Sequence, residues 1–299
     1  ELQKCANDPI YFAENYINRA KERITKKDLF FPEKKTKAPF KEFKADKKEI
    51  ETVLSKISFS EEILPVRDMI GGSIEAHKKL NYFIKNNLNL YGDNRSNPHS
   101  PLLTPSSAMS PYLHFGHISV ETIVTSCLDF SSNEKWAPDL LNVDAKGDKD
   151  LFFGKNLSLN SYFDELLTWR DIGYLLFWPK KEFHKDLSVL PEWIQKNLKK
   201  HAADKREYLY TKKQFESSKT HDPLWNAAQK ELVLAGRMHN YMRMLWEKKV
   251  MEWTKTYQEA FQILEEFNNK YAYDGRNPNS YTGILWCFGL FDRPWFPER

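Results

Sequence analysis

The stretch that decides the fold runs from residue 220 to residue 253 and reads THDPLWNAAQKELVLAGRMHNYMRMLWEKKVMEW. Asp222 followed by Pro223 is a typical pair for the N-cap and first turn of a helix. Gly236 is placed to end that helix, because glycine adopts the left-handed conformation of helix C-caps at no steric cost. The stretch therefore predicts two consecutive helices, over roughly 223–234 and 238–255.

Three tryptophans mark the sides on which these two helices would meet. Trp246 and Trp253 are seven residues apart, so they share one face and lie roughly 10 Å apart at about 1.5 Å per residue. Trp225, on the preceding helix, could pack between them. The residues alone favour a tryptophan-rich packing seam. The alternative is a series of indoles through which an electron can hop.

Helical periodicity extends over most of the chain. Apolar residues Ile74, Leu80, Phe83 and Ile84 share a face of a predicted helix from Ser73 to about residue 86, after a Gly-Gly turn. Further helices are predicted over roughly 111–128, 161–178, 191–199, 211–217, 257–270 and 280–288, with loops over 91–110 and 134–160. No convincing period-2 strand and no internal repeat occur in the sequence. The predicted fold class is all-α.

Composition excludes several classes of protein. Of the 299 residues, 41% are hydrophobic, which is enough to bury a core. The sequence contains no run of about 18 apolar residues, so it does not predict a membrane-spanning helix. Cys5, Cys127 and Cys287 are too scattered for a disulfide framework or a zinc cluster, and they fit a reducing compartment. His114 and His117 have no obvious third partner, so packing is favoured over metal binding, and no metal site is predicted.

Basic residues are concentrated at the beginning of the chain. Residues 1–56 hold 14 Lys and Arg against 10 Asp and Glu, a difference of four, and the whole chain has a formal charge of +4. A solvated surface linker is the simplest interpretation of such a stretch. We predict a basic connector over 1–57, a short helix followed by an extended run, and one helical domain over 58–299.

Three further segments combine residue types that suit a binding site. In PSSAMSPYLHFGHIS (105–119), Ser106, Ser107 and Ser110 precede an apolar helix. They would either cap that helix or direct hydroxyls and free backbone N–H groups at a phosphate. In ELLTWRD (165–171), Glu165 and Trp169 are four residues apart. They form either a carboxylate and a ring that hold a nucleobase, or a surface pair.

The third segment, FNNKYAYDGRNPNSYTGILWCFGLFDRPW (267–295), contains a strong turn at 274–278. Asn268 provides an amide upstream of that turn, and Asp274 within it has a charge opposite to that of Arg243. Trp286 is another candidate stacking ring.

In this order, the segments resemble the photolyase/cryptochrome family, and specifically its class II cyclobutane pyrimidine dimer photolyases. The resemblance covers roughly residues 60–299 and corresponds to the C-terminal helical FAD-binding half of the family. The segments that carry it are SSAMSPYLHFG (106–116), ELLTWRD (165–171), DKREYLY (204–210), THDPLWNAAQ (220–229), GRMHNYMRMLW (236–246), DGRNPNSY (274–281) and FDRPW (291–295).

The resemblance implies FAD as cofactor and gives roles to individual residues. Those that match the loop around the FAD phosphates are Ser106, Ser107, Met109 and Ser110, with Tyr91 beside the same cofactor. Those that match the flavin ring site are Asn268, facing the flavin N5, and the ion pair of Arg243 and Asp274, followed by Gly275. The class II tryptophan chain is matched, outward from the flavin, by Trp246, Trp225 and Trp253.

The resemblance also implies a lesion pocket and a reaction. The pocket residues matched are Glu165, Trp169, Tyr241, Met244 and Trp286, with Arg95 near the DNA bubble. The implied activity is light-driven repair, in which excited reduced FAD passes one electron to a pyrimidine dimer flipped out of UV-damaged DNA, the ring opens and the electron returns. A monomeric, intracellular (cytoplasmic, DNA-associated) protein without membrane contact is expected.

Two other functions remain open at this point. A cryptochrome-like photoreceptor would use the same flavin and tryptophans without repair. A helical nucleic-acid-binding module without FAD would use the basic stretches 1–56 and 179–220. The α/β antenna domain of the family does not match any part of the chain, which is therefore expected to be a fragment or to work without that pigment.

Overall fold

The computed structural model describes residues 46–58, 63, 65–66, 68–98, 106–131, 142, 151–177 and 187–293. These residues form helices and connecting loops, with no β-strand among them, and the predicted all-α class is confirmed. The helices are α1 (Lys47–Leu54), α2 (Ser73–Asn86), α3 (Tyr91–Asn94), α4 (Ser110–His114), α5 (Val120–Ser131), α6 (Leu157–Phe163), α7 (Arg170–Phe177), α8 (Glu192–Lys200), α9 (Lys212–Glu216), α10 (Pro223–Ala235), α11 (Asn240–Trp253), α12 (Tyr257–Tyr271) and α13 (Pro278–Cys287). Short 3₁₀-helices lie at Leu88–Leu90 and Leu187–Val189, and a π-helix lies at Asp164–Trp169.

Two of the predicted helices are interrupted. The helix predicted over 111–128 is α4 and α5, separated by a turn in which Gly116 has a left-handed φ of +69° that continues no helix. The helix predicted over 161–178 joins the end of α6 to α7 through the π-helix, where the backbone widens to i→i+5 bonding. Such π-helices are rare and occur frequently at functional sites.

The connector predicted over 1–57 falls mostly outside the described residues. Its last part was expected to be extended, and this expectation is wrong, because Lys47–Leu54 forms α1. Asp46 and Glu49 form a capping box, in which each side chain accepts a hydrogen bond from the backbone N–H of the other. The cap and the good helix formers that follow it account for the helix.

The described helices build two hydrophobic cores. The N-terminal core is formed by α2 to α6, with Leu80, Phe83, Tyr112 and Phe163 among its buried residues. The C-terminal core is formed by α7 to α13 and contains the helix pair predicted from residues 220–253. The π-helix lies at the junction, since Leu166 packs in the first core and Trp169 packs against the second.

The turn between α10 and α11 is held tightly. Gly236 caps α10 with a φ of 64°, as predicted, and its carbonyl accepts the N–H of Tyr273 at 3.0 Å. A Cβ at position 236 would lie 2.7 Å from Val66 and 2.8 Å from the Tyr273 ring. Glycine therefore allows this turn to pack beside the loop that follows α12, which brings α11 next to residues 272–277.

Candidate functional site

The three tryptophans predicted to share a seam form one buried, continuous set. The Trp225 ring stacks on that of Trp246 with centroids 6.1 Å apart and planes at 11°, and meets the edge of Trp253 at the same distance. All three are at most 3% exposed. Trp225 thus lies between the other two, the arrangement that the sequence allowed without fixing it, and both the packing and the electron-hopping interpretations fit this geometry.

The two inner indoles have their N–H groups bonded to neutral oxygens. Trp246 Nε1 donates to Oε1 of Gln229 at 2.9 Å, and Trp225 Nε1 donates to the Trp246 carbonyl at 3.1 Å. Buried indole N–H groups generally need such partners. Gln229 was not identified from the sequence, although it lies one turn after Trp225 on α10, a spacing that puts the two side chains on the same face.

The outer tryptophan adjoins a polar aromatic cluster. The Tyr210 ring lies 5.9 Å from Trp253, and the His221 ring lies 4.8 Å from it. The Tyr210 hydroxyl accepts the backbone N–H of His221 and is bonded to His221 Nδ1 at 2.7 Å. Tyr208, which is 38% exposed, stacks on His221 at 3.7 Å. The indole set therefore extends through rings to the protein surface.

A second cluster lies where α4, α11 and the loop after α12 meet. The Ser110 hydroxyl donates to Oδ2 of Asp274 at 2.7 Å, and Arg243 Nη2 lies 3.7 Å from Oδ1. Arg243 Nε and Asp274 Oδ1 are buried and have no hydrogen-bond partner in the described part of the chain. A buried polar atom without a partner is costly, so this cluster fits a polar ligand that supplies one.

The serine loop does not cap α4. The residue at the N-cap is Met109, which makes no side-chain cap, and the Ser107 hydroxyl only accepts the Met109 N–H at 3.4 Å. A side-chain cap of α4 by these serines is therefore not observed among the residues that the structure describes. Ala108 has a left-handed φ of 53°, a conformation that costs about 1–3 kcal/mol in a residue other than glycine.

The turn after α12 fits closely against that helix. Asn268 is 2% exposed on α12, and a Cβ at Gly275 would lie 2.6 Å from its carbonyl oxygen. Arg276 has a left-handed φ of 61°, held by hydrogen bonds from its N–H and guanidinium to Asn269. Residues with a strained backbone, Ala108 and Arg276, thus lie near each partner of the Ser110–Asp274 hydrogen bond. Backbone strain of this kind is common at functional sites.

Arg95 and Glu165 form an ion pair between α3 and the π-helix. The Arg95 guanidinium also lies 5.9 Å from the centre of the Tyr91 ring, and burial raises the pKa of Tyr91. The family resemblance implied a position near DNA for Arg95 and a place in the lesion pocket for Glu165, but it did not predict that the two side chains contact each other. In the structure the Glu165 carboxylate holds this arginine.

Trp169 and Trp286 come together although they are far apart in sequence. Their ring centroids are 4.5 Å apart with planes at 38°, and Phe291 packs against both. Trp169 Nε1 donates to Asp164 within the π-helix. Both indoles are half-buried. Phe291 supports both indoles through these ring contacts. From the sequence, Phe291 is identified only as part of the FDRPW segment, which does not predict this role.

Tyr241 and Met244 provide exposed apolar surface on α11. Their exposed fractions are 46% and 39%. The Cys287 thiol, next to Trp286, contacts the Met244 carbonyl at 3.8 Å, which connects this surface to the end of α13. The five residues predicted for a lesion pocket thus lie on three elements, the π-helix, α11 and α13.

Glu247 is a buried acid that the sequence did not single out. It is 3% exposed on α11, next to Trp246 and one turn from Arg243. Burial raises the pKa of Glu247 to about 7, although the Cys287 thiol and the Arg243 guanidinium both act to lower it.

His117, a possible metal ligand in the sequence, has a structural contact instead: its Nδ1 accepts the backbone N–H of Gly72 at 3.1 Å.

Two solved structures with this fold are a photolyase and a cryptochrome. A bacterial class III photolyase from Agrobacterium tumefaciens matches with a TM-score of 0.52 and 19% identity, over 76% of this chain and 40% of that one. The cryptochrome of Synechocystis sp. PCC6803 matches with a TM-score of 0.56 and 17% identity, over 82% and 44%. The chain therefore has the helical fold of the photolyase/cryptochrome family.

Curated proteins that match the sequence have higher identity than these structures and share one name. Proteins named deoxyribodipyrimidine photo-lyase match from Methanothermobacter thermautotrophicus (37% identity over 225 residues, 75% of this chain and 44% of the relative) and Oryza sativa (38% over 216 residues, 71% and 38%). One from Potorous tridactylus is 34% identical over 225 residues, 75% and 38%. No family model matches. The chain is homologous to deoxyribodipyrimidine photolyases and spans about two fifths of the length of these relatives.

Proposed function

We propose that this chain is the FAD-binding, catalytic part of a light-driven DNA-repair enzyme that splits cyclobutane pyrimidine dimers. The observation that carries the proposal is the buried series Trp246–Trp225–Trp253, which begins on the same helix as Arg243 and ends at surface aromatic rings. The relatives carry the name of this activity. We also propose a basic connector over 1–57, one catalytic domain over 58–299, and a monomer.

The residues of the second cluster fit FAD. The partnerless polar atoms of Arg243 and Asp274 would find their partners on the flavin, and Asn268 would hydrogen-bond the same ring. The loop of Ser106, Ser107, Met109 and Ser110 would hold the phosphates, with Tyr91 and Gly275 close by. Bound FAD in its reduced form would supply the light-excited electron that opens the dimer and would take that electron back.

The chain itself would provide three further contributions. Trp246, Trp225 and Trp253 would bring electrons from the surface to the cofactor, so that the reduced form is regenerated. Trp169, Trp286, Tyr241 and Met244 would stack on and enclose a dimer flipped out of UV-damaged DNA. Glu165, released from or shared with Arg95, would hydrogen-bond the dimer and stabilise its charge as the ring opens.

The test is repair under blue light. Reduced, anaerobic protein is mixed with an oligonucleotide that carries one thymine dimer, and illuminated samples are compared with dark ones. We expect light-dependent recovery of intact thymines. No recovery, with FAD bound and photoreducible, would contradict the repair proposal and favour the photoreceptor alternative. A chain that binds DNA but no FAD would favour the nucleic-acid-binding alternative.

A lesion-pocket variant tests the assignment of Glu165. Glu165→Ala removes the carboxylate that would hydrogen-bond the dimer, so repair per absorbed photon should fall while FAD stays bound. Glu75→Ala, an acid on α2 that pairs with Lys78, is the matched control and should leave the yield unchanged. An unchanged yield in Glu165→Ala would remove Glu165 from the site.

A further inference from the structure

Gln229 has one polar contact at a site where a polar side chain is costly. Its side chain is fully buried, its Oε1 accepts the Trp246 indole N–H at 2.9 Å, and its own amide nitrogen has no partner among the described residues. Burying an amide that stays half-satisfied costs free energy. The only side-chain hydrogen bond found for Gln229 in the described regions is therefore the one to Trp246.

The chemistry of that acceptor matters when Trp246 is oxidised. An amide oxygen accepts a hydrogen bond well, but it is a very weak base, so it does not take the proton from an oxidised indole. A hydrogen bond from a charged donor is about twice as strong as a neutral one. The Gln229 oxygen therefore stabilises the oxidised indole more than the neutral indole and leaves the proton on Nε1.

We propose that Gln229 is a positioning residue that keeps the first electron donor protonated during electron transfer. This inference rests on the proposed function. One electron leaves Trp246 for the photoexcited flavin, and the resulting Trp246 radical cation keeps its N–H bond. One electron from Trp225 then refills Trp246, and the positive charge moves outward. If the proton were lost, the neutral Trp246 radical would need a proton as well as an electron before it could be restored.

The surroundings of Trp246 support this assignment. Trp225, the next donor, also bonds to a neutral oxygen, the Trp246 carbonyl. Glu247, the next residue on the same helix, is buried and its Oε2 has no hydrogen-bond partner in the described regions, but the Trp246 N–H donates to Gln229 and not to this carboxyl. At the outer end, by contrast, a histidine ring lies beside Trp253 and bonds to Tyr210. Neutral acceptors are thus found at the inner end of the series and a histidine ring at the outer end.

The first experiment removes the acceptor. Gln229→Met keeps the length of the side chain and replaces the amide, including its partnerless nitrogen, with apolar atoms. We expect the ¹H–¹⁵N signal of the Trp246 indole to shift, and the yield of flavin photoreduction to fall about tenfold, because the charge-assisted gain of such a bond is roughly one decade in an equilibrium. Gln262→Met, on the exposed face of α12, should change neither.

The second experiment replaces the weak base with a stronger one. In a Trp225→Phe background the radical is confined to Trp246, where transient absorption distinguishes the protonated cation from the neutral radical. With Gln229 present the cation should persist until it recombines. In Gln229→Glu/Trp225→Phe, at pH values where the new carboxylate is ionised, that carboxylate takes the Nε1 proton and the neutral radical should replace the cation.

Two results would overturn the inference. One is an unchanged photoreduction yield and indole signal in Gln229→Met. The other is a neutral Trp246 radical that forms as quickly with Gln229 as with glutamate. A wild-type chain that binds FAD but is not photoreduced would overturn the electron-transfer proposal itself, and this inference with it. The Gln229→Glu variant keeps the test open if Gln229→Met does not fold.

Discussion

At the scale of single residues, polar atoms buried beside aromatic rings define the site. Gln229 and the Trp246 carbonyl hold two indoles in place, while Arg243 and Asp274 keep polar atoms without partners. Packing alone accounts for the acceptors of the indole N–H groups but not for the buried polar atoms of Arg243 and Asp274, because leucine or methionine would fill the same space at a lower desolvation cost. Their presence favours a function for this region over packing alone.

Trp246 is the residue whose change should affect photoreduction most. Trp246→Phe keeps a buried ring but removes an oxidisable indole next to Trp225 and its bond to Gln229. We expect flavin photoreduction to be nearly lost, whereas repair by chemically reduced protein should be retained. Trp193→Phe, at a half-buried tryptophan on α8, is the control. Normal photoreduction in Trp246→Phe would exclude the proposed chain.

Glu247 should make stability depend on pH. Burial raises the pKa of Glu247 from 4.5 to about 7 in the folded protein, so the folded state binds more protons than the unfolded state between these values. The free energy of unfolding should therefore fall as pH rises from about 4.5 to about 7, by at most about 3 kcal/mol. Urea unfolding at several pH values measures this loss.

Glu247→Gln removes the titrating group and should flatten the profile in that pH window. Glu252→Gln, at an exposed acid of the same helix that pairs with Lys249, should follow the wild-type profile. A Glu247→Gln profile as steep as that of the wild type would show that another group causes the loss.

At the scale of elements, helix termini and one widened helix position the functional side chains. Asp222 caps α10 by accepting the N–H groups of Leu224 and Trp225 at 2.8 and 3.1 Å, and α10 carries Trp225 and Gln229. The π-helix carries Glu165 and Trp169 across the junction of the two cores. The Asp222 cap and the π-helix each fix the backbone and thereby the positions of the side chains on it.

The cap of α10 should contribute measurably to stability. Asp222→Ala leaves the N–H groups of Leu224 and Trp225 without their acceptor, and such losses typically cost about 1 kcal/mol of the free energy of unfolding. Asp222→Asn keeps an acceptor and should cost much less. Denaturant titration of the three proteins compares them, and equal midpoints would mean that solvent replaces the cap without penalty.

At the scale of the whole molecule, the candidate flavin site lies where the two cores meet. Ser110 on α4 belongs to the N-terminal half, and Asp274 and Arg243 belong to the C-terminal half. None of the helices in the described regions is long and apolar enough to span a membrane. A ligand at this junction would connect both cores, so its binding should stabilise the whole chain.

Removal of FAD should therefore lower the melting temperature. A ligand that binds only the folded state stabilises it by about 2.7 kcal/mol at a hundred times its Kd. Asp274→Ala removes the partner of Ser110 and should reduce the gain in melting temperature that added FAD produces. Asp204→Ala, at an exposed acid that pairs with His201, should keep that gain. An undiminished gain in Asp274→Ala would exclude Asp274 from the FAD site.

The sequence by itself determined the helical class, the cap and turn at Asp222 and Gly236, and the shared face of Trp246 and Trp253, because these depend on local backbone preferences and helical spacing. It also carried the family resemblance. Only the tertiary structure decided that Trp225 stacks on Trp246, that Gln229 bonds to that indole, and that Arg95 pairs with Glu165. Contacts between distant segments depend on how helices pack, and helical periodicity identifies the face that is buried but not the residue that it meets.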